Sequence, residues 1–147
     1  MSRVLAVDYG ERRIGLAISD PLGMIAQPLP TLTRRRGKRP PIGEIERIVT
    51  ERDVGELVIG LPLTSEGDES EWTAEVRAFA EKLATRTARP VHFLDERMTS
   101  ARAERAIREA GLSRSQRQDK GLVDATAAVI ILQTHLDARA RTESRHV

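Results

Sequence analysis

The order of apolar segments along the chain constrains its fold more than any other feature. Two runs of strand length lie near the N-terminus, at residues 4–8 (VLAVD) and 14–19 (IGLAIS), and the charged, glycine-containing segment between them predicts a hairpin. A third candidate strand, 24–33, contains Pro28 and Pro30. Proline has no N–H to give to a central ladder, so this strand is expected at a sheet edge or at a bulge.

The rest of the chain alternates helices and strands. Apolar residues at helical spacing predict helices at 45–52, 72–83, 103–110 and 125–136, and buried-strand runs lie at 56–60 (ELVIG) and 91–94 (VHFL). Thr99 or Ser100 is expected to cap the third helix and Gly111 to end it. Strands separated by helices pair in parallel, whereas the hairpin is antiparallel, so the sequence predicts an α/β fold with a mixed sheet.

Composition narrows the class of protein. The 147 residues suit one domain, which we place at 1–138, followed by a basic, disordered tail at 139–147. Cysteine is absent, which excludes disulfides, zinc–thiolate sites and iron–sulfur clusters. No apolar run approaches the roughly 20 residues that span a bilayer, and the N-terminus lacks the build of a signal peptide. We therefore expect a cytoplasmic protein with no membrane contact.

Positive charge is concentrated in one short segment of a nearly neutral chain. The net charge is +2, and the segment carries five cations: Arg34, Arg35, Arg36, Lys38 and Arg39. An acidic body with basic appendages suits a polyanionic ligand, although a solvated loop is the simpler interpretation. Because the segment has no aromatic residue to stack on a base, we predict that it contacts backbone phosphates.

Acidic residues stand where the predicted strands end. Asp8 and the adjacent pair Asp95 and Glu96 follow strands at their C-terminal ends, where open α/β sheets bind ligands, and Asp124 lies early in the last helix. Carboxylates that converge there repel one another unless a cation binds, and Mg²⁺ or Mn²⁺ suits such oxygen ligands. Each acid taken alone is equally compatible with a turn or cap role.

Two loops could contact phosphate. Gly10 follows the first strand and Thr64 and Ser65 follow the strand ELVIG, although an ordinary turn explains each loop as well. The chain has neither a P-loop nor a dinucleotide-binding fingerprint. His92, His135 and His146 are expected to be structural or surface residues, and Trp72 is expected in the core.

Four blocks of sequence resemble the YqgF (RuvX-type) family of Holliday-junction resolvases, also described as pre-16S ribosomal RNA nucleases. The blocks are VLAVDYGERRIGLAISD, VIGLPLTSEGDES, FLDERMTSARAE and KGLVDATAAVIILQTHL, and they span residues 4–136 in family order. The resemblance implies an RNase H-like fold with a mixed five-stranded sheet flanked by helices. It also implies divalent-metal-dependent cleavage by in-line attack of water, leaving 5′-phosphate and 3′-hydroxyl ends.

The resemblance carries residue roles to matching positions. Asp8, Glu96 and Asp124 are implied as the catalytic acids that hold one or two ions, with Tyr9, Gly10, Arg13, Arg97 and Thr99 as groups that position the substrate or the acids. In such a sheet one strand separates Asp8 from the strand before Asp95, about 9.6 Å between backbones. Asp95 and Glu96 point to opposite sides if that strand continues through them, so only one is expected to serve. We choose Glu96, with Asp95 as the alternative.

One block departs from the family pattern. The loop after GLPL reads Thr64-Ser65-Glu66-Gly67, where the family has a sequence close to Asn-Met-Asp-Gly, so local contacts or substrate preference are expected to differ.

Three functions are compatible with these residues. The first is a metal-dependent nuclease that matures the 5′ end of precursor 16S ribosomal RNA or resolves branched DNA. The second is a nucleic-acid-binding module with weak or vestigial catalysis. The third, an ATPase of the actin/Hsp70-like superfamily, is disfavoured because the chain has no room for a second lobe. The sequence does not choose between RNA and DNA, and it gives no oligomeric state.

Overall fold

Five strands form a single mixed sheet: β1 (Arg3–Tyr9), β2 (Arg13–Ser19), β3 (Ala26–Thr33), β4 (Val54–Leu61) and β5 (Val91–Asp95). The computed structural model describes residues 2–34, 39–99 and 120–145, and it leaves out the side chains of 120–124 and 143–145. The strand order is β3-β2-β1-β4-β5. β2 is antiparallel to β1 and β3, whereas β4 is parallel to β1 and β5. The predicted α/β class with a mixed five-stranded sheet is confirmed.

The helices in the described ranges are α1 (Ile42–Glu51), α2 (Glu71–Thr87) and α3 (Lys120–Arg145), and a 3₁₀ turn covers Glu96–Met98. The helix predicted at 103–110, with its cap at Ser100 and its end at Gly111, lies outside the described residues. Where the chain is described, no helix is both long and apolar enough to cross a bilayer.

The position of β3 agrees with its sequence. It is an edge strand, it contains both Pro28 and Pro30, and its pairing with β2 shifts register between Ile14 and Leu16. An edge position leaves one side of the strand without ladder partners, so the missing proline N–H groups cost little there.

Side-chain alternation divides the interior into two layers. On one face of the sheet Leu5, Val7 and Tyr9 of β1 pack with α1 and α2. On the other face Val4 and Ala6 pack against α3. Both faces of β1 are therefore covered, which explains why its sequence is a continuous apolar run rather than an alternating one.

The start of α2 is fixed by a capping box. The Ser70 hydroxyl accepts a hydrogen bond from the Thr73 backbone N–H at 3.3 Å, and the Ser70 N–H donates to the Thr73 hydroxyl at 3.0 Å. The buried Thr73 hydroxyl also donates to the Pro62 carbonyl at 2.5 Å. These bonds connect the first turn of α2 to the loop that leaves β4.

Helix α3 extends through Arg145, so most of the segment 139–147, which the sequence reading treats as a disordered tail, is helical in the structure. Arg139 forms an ion pair with Glu56 of β4 and a 3.3 Å contact with His135. The ion pair ties α3 to the sheet at Arg139, and charge composition alone does not reveal it.

Candidate active site

Asp8 and Glu96 come from strands on either side of β4, at the same edge of the sheet. Asp8 lies on the α3 face of β1, because side chains alternate and Val4 and Ala6 point to that face. β1 pairs with β4 from Val4 with Glu56 to Val7 with Ile59, and one further step of this register places Gly60 beside Asp8. β4 therefore separates Asp8 from β5, as the sequence analysis expects.

Glu96 bridges this gap by lying over the backbone of Gly60. A Cβ atom built on Gly60 would stand 2.7 Å from Glu96 Oε1, 2.9 Å from Glu96 Cγ and 2.8 Å from Ile131 Cδ1. Any side chain at position 60 would occupy the space that Glu96 uses. Gly60 thus lets the Glu96 carboxylate extend from the end of β5 toward Asp8.

The surroundings of Glu96 disfavour its charged form. Glu96 is half-buried, and burial raises the pKa of its carboxyl, with the nearby Asp95 charge adding to the effect. A carboxylate in such a place is stabilised by a bound cation. The raised pKa is the expected property of a metal ligand before the ion arrives.

Asp95 is engaged elsewhere. Its carboxylate accepts hydrogen bonds from the Arg97 guanidinium at 2.6 and 3.0 Å and from the Arg97 backbone N–H at 2.9 Å. These bonds, the side-chain bond first, lower the pKa of Asp95. Asp95 therefore caps the 3₁₀ turn, and it is Glu96 that the structure brings over Gly60.

Arg97 and Thr99 both stabilise the turn that carries Glu96. The Arg97 guanidinium also donates to the Ser65 carbonyl at 3.4 Å and packs against Gly67, whose φ is +89°. The Thr99 hydroxyl donates to the Glu96 carbonyl at 2.7 Å and is buried. In this structure both side chains are engaged within the protein, and their predicted contacts with nucleic acid stay predictions.

Asp124 lies on α3, and its side chain is outside the described residues. Its backbone is two helical turns before Ile131, the residue that contacts the Gly60 position, so the two share one face of the helix. α3 runs antiparallel to β4, because Ile131 lies near Gly60 and Arg139 near Glu56. Asp124 therefore stands toward the same sheet edge as Asp8.

The basic segment begins beside the site. Arg34 donates its backbone N–H to the Arg12 carbonyl at 2.7 Å, and its guanidinium donates to the Tyr9 hydroxyl at 2.5 Å. Tyr9 follows Asp8 directly in β1, so the first residue of the segment is held at the same sheet edge as Asp8 but on the opposite face. Arg39 is exposed, whereas Arg35, Arg36 and Lys38 lie outside the described residues.

The two candidate phosphate loops have internal structural roles. A Cβ on Gly10 would lie 2.5 Å from the Arg13 carbonyl oxygen, so the tight hairpin itself requires glycine there. In the second loop the Thr64 hydroxyl accepts the Asp68 N–H at 3.0 Å, and the Thr64 N–H donates to the Asp68 carbonyl at 2.9 Å. Ser65 is exposed. Phosphate contact by these residues stays a prediction.

The donor set fits a hard divalent cation. The carboxylates of Asp8 and Glu96 offer only oxygen donors, as Mg²⁺ and Mn²⁺ prefer, and burial raises the pKa of the Glu96 carboxyl that a cation would stabilise as a carboxylate. No group of three or more His, Cys, Asp or Glu residues suited to a metal occurs among the side chains that the structure describes, which do not include that of Asp124.

Comparison with known proteins decides the family. The chain matches the model of the RuvX family, described as "Holliday junction resolvase", over residues 2–138. It belongs to that family. The match covers nearly the whole chain, and it identifies the chain as a nuclease and a hydrolase, as the sequence predicts.

Curated relatives cover the chain to a similar extent. A protein of Koribacter versatilis named "Putative pre-16S rRNA nuclease" is 44% identical over 137 residues, which is 93% of this chain and 88% of that protein. A protein of Dictyoglomus thermophilum with the same name is 43% identical over 136 residues, which is 92% of this chain and 96% of its own length.

Solved structures confirm the RNase H-like fold. Thermus thermophilus RuvC in complex with Holliday junction substrate superposes with a TM-score of 0.57 at 17% identity, over 95% of this chain and 96% of that one. The fowlpox virus resolvase in complex with Holliday junction DNA gives a TM-score of 0.57 at 10% identity, over 93% of this chain and 98% of that one. At such low identities the likeness concerns the fold.

Sequence reasoning missed Gly60. It lies inside the run ELVIG, where a glycine weakens a strand and often marks a close approach of other groups. That signal was available, but the identity of the approaching group was not, because Glu96 is 36 positions away along the chain.

Proposed function

We propose that this chain is a divalent-metal-dependent nuclease of precursor 16S ribosomal RNA, with Asp8, Glu96 and Asp124 as the acids that hold the metal. The observation that carries the proposal is the placement of the Glu96 carboxylate over Gly60, beside Asp8. The RNA substrate follows from the names of the curated relatives. The cytoplasmic location expected from the sequence is part of the same proposal.

Asp8 and Glu96 are supported by different elements of the fold. Asp8 is fixed by the central strand β1, which is paired on both sides. Glu96 stands on a 3₁₀ turn that is capped by Asp95 and closed by Thr99. When bound, Mg²⁺ or Mn²⁺ would lower the pKa of a coordinated water and offset charge on the scissile phosphate. The protein's part is to orient the carboxylates, and the bound cation would keep Glu96 ionised against the effect of burial.

The basic segment supports substrate binding. Arg34 is anchored on Tyr9, so a nucleic acid bound by the segment would lie at the sheet edge where Asp8 stands. Such contacts raise affinity for any nucleic acid and weaken with salt.

The test compares cleavage of two labelled substrates, precursor 16S ribosomal RNA and a four-way DNA junction, with Mg²⁺, with Mn²⁺ and with chelator. Wild-type protein should yield metal-dependent product from the RNA, whereas Asp8→Asn and Glu96→Gln should bind without cleaving. Glu44→Gln is the matched control, because Glu44 is exposed on α1, away from the α3 face, and should cleave normally.

The outcomes separate the candidate functions. Cleavage of the junction alone would replace the RNA proposal with junction resolution, which the family's description favours. Binding of both substrates without metal-dependent product would favour the non-catalytic binding module. Full activity in Asp8→Asn would remove these acids from the mechanism.

A further inference from the structure

Aromatic residues are scarce in this chain, and most of them meet in one place. The sequence has one Trp, one Tyr and two Phe. Tyr9 stacks on Phe79 with ring centroids 4.1 Å apart, and on Trp72 with centroids 5.4 Å apart and ring planes 8° apart. Three of the four aromatic rings therefore form one cluster, and one of them belongs to Tyr9, the residue that follows Asp8.

Trp72 extends this cluster to the surface. Tyr9 and Phe79 are buried, whereas Trp72 is only partly buried and packs against the edge of the core. It also lines an open cavity of about 400 Å³ whose other walls are Gly10, Glu11, Arg12 and Arg13. A partly exposed indole with two guanidinium-bearing residues at one cavity is a suitable surface for a flat, electron-rich ring.

The charges of the cavity favour a base over a lone phosphate. Arg12 and Arg13 supply two cations, but the exposed Glu11 supplies a carboxylate that would repel an anion placed among them. A nucleobase avoids this repulsion, because its amino groups donate to a carboxylate while its face stacks on an aromatic ring. The exposed Arg12 can then contact a phosphate beside that base.

The cavity lies close to the candidate acids but on the other face of the sheet. Asp8 and Tyr9 are consecutive in β1, so their side chains point to opposite faces at the same sheet edge. A nucleic-acid strand that crosses this edge can place a phosphate at Asp8 and a neighbouring base at Trp72.

We propose that the cavity at Trp72, Arg12 and Arg13 binds one unpaired nucleobase of the substrate, next to the phosphate that is cut. The base must be unpaired, because a base inside a duplex stacks on its neighbours and cannot present its face to Trp72. The inference rests on the proposed nuclease function and adds a preference for single-stranded nucleotides beside the cut.

Trp72 is the sole tryptophan, so its fluorescence reports on the cavity directly. Full-length protein in chelator is titrated with a short single-stranded RNA, with the same oligonucleotide made abasic, and with the duplex. The base-containing single strand should quench the emission, and the abasic strand and the duplex should not. Unchanged emission throughout the titration with the base-containing strand overturns the proposal, as does equal quenching by the abasic strand.

Cleavage supplies the second measurement. On a substrate with unpaired nucleotides beside the cut, Trp72→Leu should lower kcat/KM about tenfold or more, and Trp72→Phe should restore much of the loss. Phe93→Leu is the matched control, because Phe93 is 39% exposed and contacts Arg77 rather than the cavity. Thermal unfolding checks that each variant is folded, and the fluorescence titration of the wild-type protein tests the site even if Trp72→Leu is unstable.

Failure of this inference is distinct from failure of the nuclease function. Metal-dependent cleavage that is equally fast in wild type, Trp72→Leu and Trp72→Phe overturns the base site and leaves the nuclease intact. If unpaired bases quench the fluorescence but the protein cleaves no substrate, the base site is supported and the nuclease function is refuted.

Discussion

Alanine at position 60 is expected to inactivate the site through one methyl group. The added Cβ would stand 2.7 Å from Glu96 Oε1 and 2.8 Å from Ile131 Cδ1, whereas ordinary contacts lie at about 3.5–4.0 Å. Glu96 and Ile131 must therefore each move by roughly 1 Å. A displacement of about 1 Å at a catalytic group is enough for a loss of about 100-fold in rate.

The effect on stability is smaller and has two opposing parts. Crowding of the packed interior destabilises the folded state by about 1–3 kcal/mol. Replacing glycine reduces the conformational entropy of the unfolded chain, which stabilises the folded state by about 0.4–1 kcal/mol. We expect Gly60→Ala to lower the free energy of unfolding by about 1–2 kcal/mol. The variant should remain folded at 25 °C while its kcat/KM falls by about two orders of magnitude.

The assay measures three quantities in the same preparations: kcat/KM, Mn²⁺ affinity by calorimetry, and the free energy of unfolding in urea. Gly43→Ala is the matched control, because Gly43 is exposed in α1 and an added Cβ would meet nothing within 4 Å. That variant should gain about 0.5–1 kcal/mol and cleave normally. Wild-type kcat/KM and Mn²⁺ affinity in Gly60→Ala would refute the role assigned to the contact between Gly60 and Glu96.

Three further expectations concern stability. Burial raises the pKa of Glu96 in the folded state, so the cost of burying its charge is absent in acid and grows as pH rises through that pKa. Glu96→Gln should therefore stabilise the metal-free protein at pH 8 but not below about pH 4, as measured by thermal unfolding with and without Mg²⁺. Burial and the adjacent His92 lower the pKa of His135, so wild-type unfolding free energy should fall as pH drops below about 6.5, and His135→Asn should flatten that dependence. Gly67→Ala, at φ +89° and against Arg97, should cost about 1–2 kcal/mol in urea unfolding; no cost would contradict the strain.

The fold could be predicted because its signals are local. The alternating prolines of β3, the apolar runs of β1 and β4 and the helical spacing in α2 each lie within a few residues of sequence. The continuation of α3 through Arg145 could not be predicted in this way, because Arg139 pairs with Glu56, a residue of a different element, and charge composition does not encode that contact.

The site was predictable in its acids but not in their arrangement. Strand ends identify Asp8 and the pair Asp95 and Glu96, yet two adjacent acids look alike in sequence. The structure separates their roles through Arg97, which engages Asp95, and through Gly60, which leaves room for Glu96. Both distinctions depend on contacts between elements, which periodicity does not encode.

Trp72 is a second example of a contact between elements that periodicity does not encode. Its spacing with Val76 and Phe79 predicts a core residue, and the ring does pack against the core, but no periodic pattern records that its exposed part borders Arg12 and Arg13 across the hairpin. The alternation of β1 joins the two functions, since one strand end presents an acid to one face and a ring to the other. Loss of Asp8 should therefore abolish cleavage of every substrate, whereas loss of Trp72 should slow only those with an unpaired base beside the cut. A parallel loss on fully paired substrates would mean that Trp72 supports the position of Asp8 rather than a base.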